Sequence, residues 1–222
     1  MDKRIKRKLG VTIFLVLLLA AMIIYGNNRG EKQRKLVYAD SLDLVATTLN
    51  GEDLTLRELA FYVAYEENQV EQQAEVYNSE DTAKYWNTRT DHTYIRIAAR
   101  NAAIQMALHD ALFYQMAMDE NISLSEEDKS MLSDALADFW ADLTDDGKEV
   151  MLGIEYEDIA DTMEKMAYAQ KMQLIYSELQ NASYEDYNFE TDAFHTLMDK
   201  QESRIYEDVW GRVDFGNVTL KH

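Results

Sequence analysis

The 222-residue chain contains no cysteine and no proline, and only eight glycines. Without cysteine there is no disulfide framework, thiol nucleophile, Cys-ligated zinc site or lipid-modified cysteine anchor. Without proline, no helix is interrupted by a missing amide or a fixed ring. No glycine lies between Gly51 and Gly147, so 95 consecutive residues lack both strong breakers, and a mainly α-helical protein is predicted. The glycine-rich phosphate loops Gly-x-x-x-x-Gly-Lys and Gly-x-Gly-x-x-Gly do not occur, nor does the Gly-x-Ser-x-Gly elbow. The four histidines (His92, His109, His195, His222) have no metal-binding partner at helical spacing. His109-Asp110 on an apolar helix reads as a histidine at a helix edge rather than a ligand. The stretch from Asp142 to Gly147 looks like a calcium loop, but aligning Gly147 puts Gly153 where the bidentate glutamate belongs. Nothing in the sequence supports an enzyme, and neither cofactor nor metal is expected.

What is present is an ordinary globular composition, 47% apolar and 28% charged, with a formal net charge of −19. The length leaves room for one domain and an appendage, or for two small domains. The charge is unevenly divided. Residues 1–35 hold nine of the 22 Lys/Arg against Asp2 and Glu31, which leaves 36–222 with 13 basic and 39 acidic residues, a net of −26. Such a body repels phosphates, so nucleic-acid partners are disfavoured; basic or apolar partners fit it better.

Five basic residues among the first eight precede an apolar run from Val11 to Tyr25, broken only by Thr12 and bracketed by Gly10 and Gly26. At 15 residues the run sits between a signal-peptide core and a membrane span. The small pair Ala20-Ala21 is followed by further apolar residues, which favours an uncleaved signal anchor over a cleaved peptide. Five positive residues before the run and four after it favour an N-inside orientation. The expected organisation is a cytoplasmic basic tail (1–9), a transmembrane signal anchor (10–26), a juxtamembrane linker (27–40) and an extracytoplasmic helical domain (41–222) of a bacterial cell-membrane protein.

Within that domain residues 42–49 alternate and are β-prone, and Asn50-Gly51 supplies a turn. Thr55-Leu56-Arg57-Glu58 is a capping box that opens a helix to about Tyr77. A second helix is expected from Thr82 or Asp91 to Asn121. In its 95–118 segment, 17 of 24 positions are apolar or tyrosine, which marks a central core helix. Ser125 caps a third helix ending near Leu143, and a fourth runs from about Tyr156 to Gln180. A further helix is expected over 189–209 and a strand over 212–220. Isolated strands leave backbone groups unpaired, so 42–49 is predicted to pair with 212–220 in a small two-stranded sheet closing the domain.

This order of elements resembles the chaperone portion of the SurA/PrsA family of exported foldases, related in fold to the peptide-binding part of trigger factor. The resemblance rests on the strand over residues 44–49 running into Asn50-Gly51 and the Thr55-capped helix. It rests also on the join Asn121-Ile122-Ser123-Leu124-Ser125-Glu126-Glu127, where Asn121 replaces the usual glycine, and on the entry Gly153-Ile154-Glu155-Tyr156-Glu157-Asp158. It covers about 42–180. Members commonly carry parvulin-type prolyl isomerase domains before the final helix; here only residues 181–188 separate the fourth helix from the last, so no such domain fits. The PrsA branch is anchored through a lipidated cysteine, which the span at 11–25 would replace. The resemblance implies a client-holding fold without isomerase chemistry.

Nine methionines follow residue 35, accompanied by many aromatics. Flexible, polarizable methionines beside aromatics suit a cleft that accepts varied apolar segments. The candidate peptide-binding residues are Phe61, Tyr65, Met106, Phe113, Met116, Phe139 and Trp140. The expected function is a membrane-anchored holdase for unfolded exported polypeptides. The alternative is a membrane-anchored scaffold with one dedicated envelope partner.

Overall fold

The computed structural model describes residues 34–90 and 92–221. The expected anchor over residues 10–26 lies outside the described residues, among which no helix is long and apolar enough to cross a membrane. From Leu36 onward the chain forms one compact unit.

The protein is mainly helical with a small antiparallel sheet. Strand β1 (Val45–Leu49) is followed by β2 (Glu52–Thr55) and helix α1 (Leu56–Asn78). Then come α2 (Ala83–Trp86), α3 (Ile95–Asp119), α4 (Glu126–Asp145), α5 (Lys148–Leu152) and α6 (Tyr156–Leu179). A 3-10 turn at Tyr184–Tyr187, helix α7 (Asp192–Met198), strand β3 (Ser203–Ile205) and a second 3-10 turn at Trp210–Arg212 complete the chain.

Local chemistry accounts for the helix ends. Thr55 accepts from the Glu58 amide while Glu58 reaches back to the Thr55 amide, the reciprocal box expected there. Ser125 and Asp128 form the same box at α4, and Lys171 from α6 closes on Asp128 at 2.5 Å. That lysine and the Ser125 groups hold the Asp128 carboxyl down to about 2. Asn121, at φ 53°, adopts the left-handed conformation that lets asparagine stand where glycine ends other helices.

The sheet departs from expectation. Its order is β2-β1-β3, three strands rather than two. Asn50 and Gly51 both take positive φ, so β1 and β2 form a tight hairpin with Leu49 opposite Glu52. The third strand is Ser203–Ile205, inside the stretch expected to be helical; Thr47 pairs with Ile205 and Leu49 with Ser203. Helix α7 ends at Met198 because the following Asp199-Lys200-Gln201-Glu202 offers no apolar face, whereas β1 offers an open backbone edge. Asn50 fastens this junction, donating to Gln115 and Gln201 and accepting from the Glu202 amide at 3.1 Å.

Residues 212–220 are not a strand. Val213, Phe215 and Val218 are buried as their alternation implies, but their segment lies against α1 with no strand partner among the described residues. Glu67, fully buried on α1, replaces that partner. Its carboxylate accepts from the amides of Gly216 (2.6 Å), Val218 (3.2 Å) and Thr219 (2.7 Å) and from the Thr219 hydroxyl (2.6 Å). Residues 36–40, expected as linker, also belong to the folded unit: Tyr38 is buried and donates to the Leu56 carbonyl at 2.5 Å.

Helix α3 is central. It packs on α1 and α6 and buries Ala99, Ala103, Ile104, Leu108, Leu112 and Phe113, which form the core with Leu59 and Val63 of α1 and Ile159 and Met172 of α6. The long helix begins at Ile95, the later of the two expected starts, because Arg89 and Tyr94 form a β-bridge that closes a turn before it.

Candidate functional site

Where α1, α3 and α6 meet on the solvent side, two adjoining cavities run along their seam. The first, about 290 Å³, lies at the β2 end. It is lined by Leu54 of β2, Tyr62 of α1, Ala107, Ala111, Tyr114 and Met118 of α3, and Thr162 and Lys165 of α6, with carboxylates at its edge. The second, about 310 Å³, is lined by Phe61, Tyr62 and Tyr65 of α1, Met106 and His109 of α3, Met166, Gln170 and Gln173 of α6, and Phe189. Tyr62 and Asp110 line both cavities, so these adjoin across that pair along one seam, here called the groove.

A fixed polar row crosses that groove. Tyr62 donates to Asp110 Oδ2 at 3.0 Å, and His109 Nδ1 lies 2.8 Å from Asp110 Oδ1. The second ring nitrogen of His109 faces the Tyr187 carbonyl at 3.1 Å. Burial, and then the charge of Asp110, push the Tyr62 phenol well above its ordinary range, so it acts as a neutral donor. At the β2 end Lys165 Nζ sits 2.8 Å from Glu58 Oε1. Burial opposes ionisation of Glu58, but Lys165 and the Thr55 groups outweigh it and leave the carboxyl below its usual range. Beyond Tyr65, burial and the facing Glu190 raise Glu66 to about 6.

The wall formed by residues 184–189 is held by Gln173. Its amide donates to the Tyr184 carbonyl (3.0 Å) and to Asn188 Oδ1 (3.1 Å), and the side chain is fully buried. Phe61 stacks with Tyr65 at 6.0 Å, and Phe139 of α4 backs it at 4.6 Å. These contacts preset an aromatic surface whose outer ring, Tyr65, is 40% exposed.

The structure brings Phe61, Tyr65 and Met106 together in the second cavity, with Phe139 behind Phe61. It does not bring the other expected residues there. Phe113 is fully buried in the core beside His109, Tyr176 and Phe194, which removes it from any docking surface. Trp140 packs edge-on against Tyr156 at 5.5 Å, away from both cavities, and Met116 is half-buried and lines neither. The physical reason is helical phase. Met106, Asp110, Tyr114 and Met118 form one i, i+4 row along the open side of α3. Phe113 and Met116 are one and two steps out of that row, each step turning by about 100°. A lone aspartate in the apolar stretch of α3 was the sequence signal for the open side.

Among the described residues no group of three or more His, Asp or Glu side chains is placed to hold a metal ion. No family model matches the chain, and searches of curated proteins and of solved structures return no match.

Proposed function

We propose that this protein binds extended apolar polypeptide segments in the groove of α1, α3 and α6, as a holdase for exported chains. In this proposal the folded unit is a SurA/PrsA-type helical chaperone domain without an isomerase domain, anchored at the cell membrane through residues 11–25 and facing the extracytoplasmic side. The observation that carries it is the pair of adjoining cavities along that seam. Tyr65 and Met118, 40% and 39% exposed, line its two cavities although each has apolar surface to bury. Methionine, tyrosine and phenylalanine together adapt to segments of different shape. The fixed Tyr62–Asp110–His109 row favours a second reading, a scaffold with one matched partner, because a preset polar row rewards one register of one ligand.

The test is whether the full chain, in stoichiometric amount, keeps a chemically unfolded exported client from aggregating. Tyr65→Ser/Met118→Ser removes exposed groove surface and spares the core. Suppression by the parent and an approximately tenfold weaker effect of the variant, at unchanged helicity, is the expected result. Absence of suppression across several clients would overturn the holdase and leave the single-partner scaffold.

A further inference from the structure

The groove is not uniformly apolar: its two cavities differ in charge. The carboxylates of Glu52 and Asp53 on β2 and of Asp119 at the end of α3 edge the first cavity, and none of the three has a cationic partner among the described residues. Among the described residues the one cation lining that cavity, Lys165, is already held by Glu58 at 2.8 Å. Its apolar surface includes Leu54, Tyr114 and Met118. The second cavity is predominantly aromatic and methionine-lined.

From this polarity, and resting on the groove as a polypeptide site, we infer that the preferred occupant is an extended segment with a lysine or arginine next to large apolar residues. The basic residue occupies the first cavity and the apolar residues the second. A lysine or arginine stem is apolar along its length and lies on Leu54 and Met118, while its head reaches the carboxylates at the edge. The face of Tyr114 adds a favourable surface for the cation. A neutral segment would leave the three carboxylates unmatched, and an acidic one would face them with like charge. The complementarity therefore selects the composition of the bound chain and which part of it sits in each cavity.

The experiment measures anisotropy of labelled peptides of roughly ten residues, titrated with the full chain at low salt. One peptide carries two lysines before a leucine- and phenylalanine-rich half; its pair has glutamine for each lysine. The cationic peptide is expected to bind about tenfold tighter, with the difference shrinking as salt rises. Glu52→Gln/Asp53→Asn/Asp119→Asn should abolish the difference between the two peptides. Because the whole body is acidic, Glu127→Gln/Asp134→Asn/Asp138→Asn on the exposed side of α4 removes the same charge elsewhere and should preserve the difference. Equal binding of the two peptides, or equal loss in both triple variants, overturns the inference and leaves the apolar groove standing. Failure of both peptides to bind the parent overturns the groove as a polypeptide site.

Discussion

Removing the Glu67 carboxylate is expected to detach the C-terminal segment. Glu67 has no exposed surface and is the common acceptor for three amides and one hydroxyl of residues 216–219. Each buried donor left without an acceptor costs about 1–3 kcal/mol, and water entering the vacated space recovers part of that sum. Glu67→Ala should therefore lower the unfolding free energy by about 3–5 kcal/mol, the range for breaking a buried charged network. That is a large share of the roughly 5–15 kcal/mol of an ordinary domain. Glu67→Gln keeps one acceptor and mimics the neutral carboxyl that burial favours, so it should cost clearly less than Glu67→Ala.

The pH dependence has a definite sign. Burial raises the Glu67 carboxyl, and the hydrogen bonds from Thr219, Val218 and Gly216 offset only part of that rise. The folded state therefore binds this proton more tightly than the unfolded state. The stability tied to this group is fully present below the unfolded glutamate value and is lost as pH rises through the folded one. Glu67→Gln should flatten the stability profile of the parent in that window. Urea unfolding across pH, with hydrogen exchange at the amides of Gly216, Val218 and Thr219, measures both effects. An alanine variant within 1 kcal/mol of the parent, with those amides still protected, would refute the clamp.

Three further outcomes follow from the same structure. Gly216 has φ 88°, and a β-carbon there would lie 2.7 Å from the buried Trp86 ring, so Gly216→Ala should destabilise by about 2–4 kcal/mol in thermal unfolding. Glu66, raised to about 6 by burial and then Glu190, costs stability that is absent below the unfolded value near 4.5 and complete above 6. Solvent on its open side screens the effect, so Glu66→Gln should stabilise by about 1 kcal/mol at neutral pH, with the difference vanishing near pH 4. Phe113→Ala should cost about 3–5 kcal/mol as a core cavity, and wild-type peptide affinity in the fraction that stays folded would separate it from groove variants.

Much of the helical framework follows from short-range chemistry. The Thr55–Glu58 box, the Ser125 cap and the breaker-free stretch after Gly51 place α1, α3 and α4 to within a few residues, because a cap and a periodic face act over one or two turns. The start of α6 at Tyr156, after the left-handed Gly153, is local in the same way. Asn50-Gly51 carried the hairpin signal too, although polar Glu52-Asp53 hid the second strand.

Long-range pairing lay beyond such reading. Whether β1 takes residues 203–205 or 212–220 as its neighbour depends on which backbone finds another acceptor, and that is settled by Glu67, far along α1. Period-two burial of Val213 and Phe215 is common to a strand and to an extended segment pinned by a side chain, so alternation could not separate them. The groove has the same origin. Met- and aromatic-rich helices announce apolar faces, but a face becomes core or groove only when its neighbours are placed, and α6 and α7 cover Phe113 while Met106, Tyr114 and Met118 are left along an open seam. Capping and periodicity are interactions between residues a few positions apart; burial is a property of the assembled helices, and it alone decides which apolar side chains remain available to a partner.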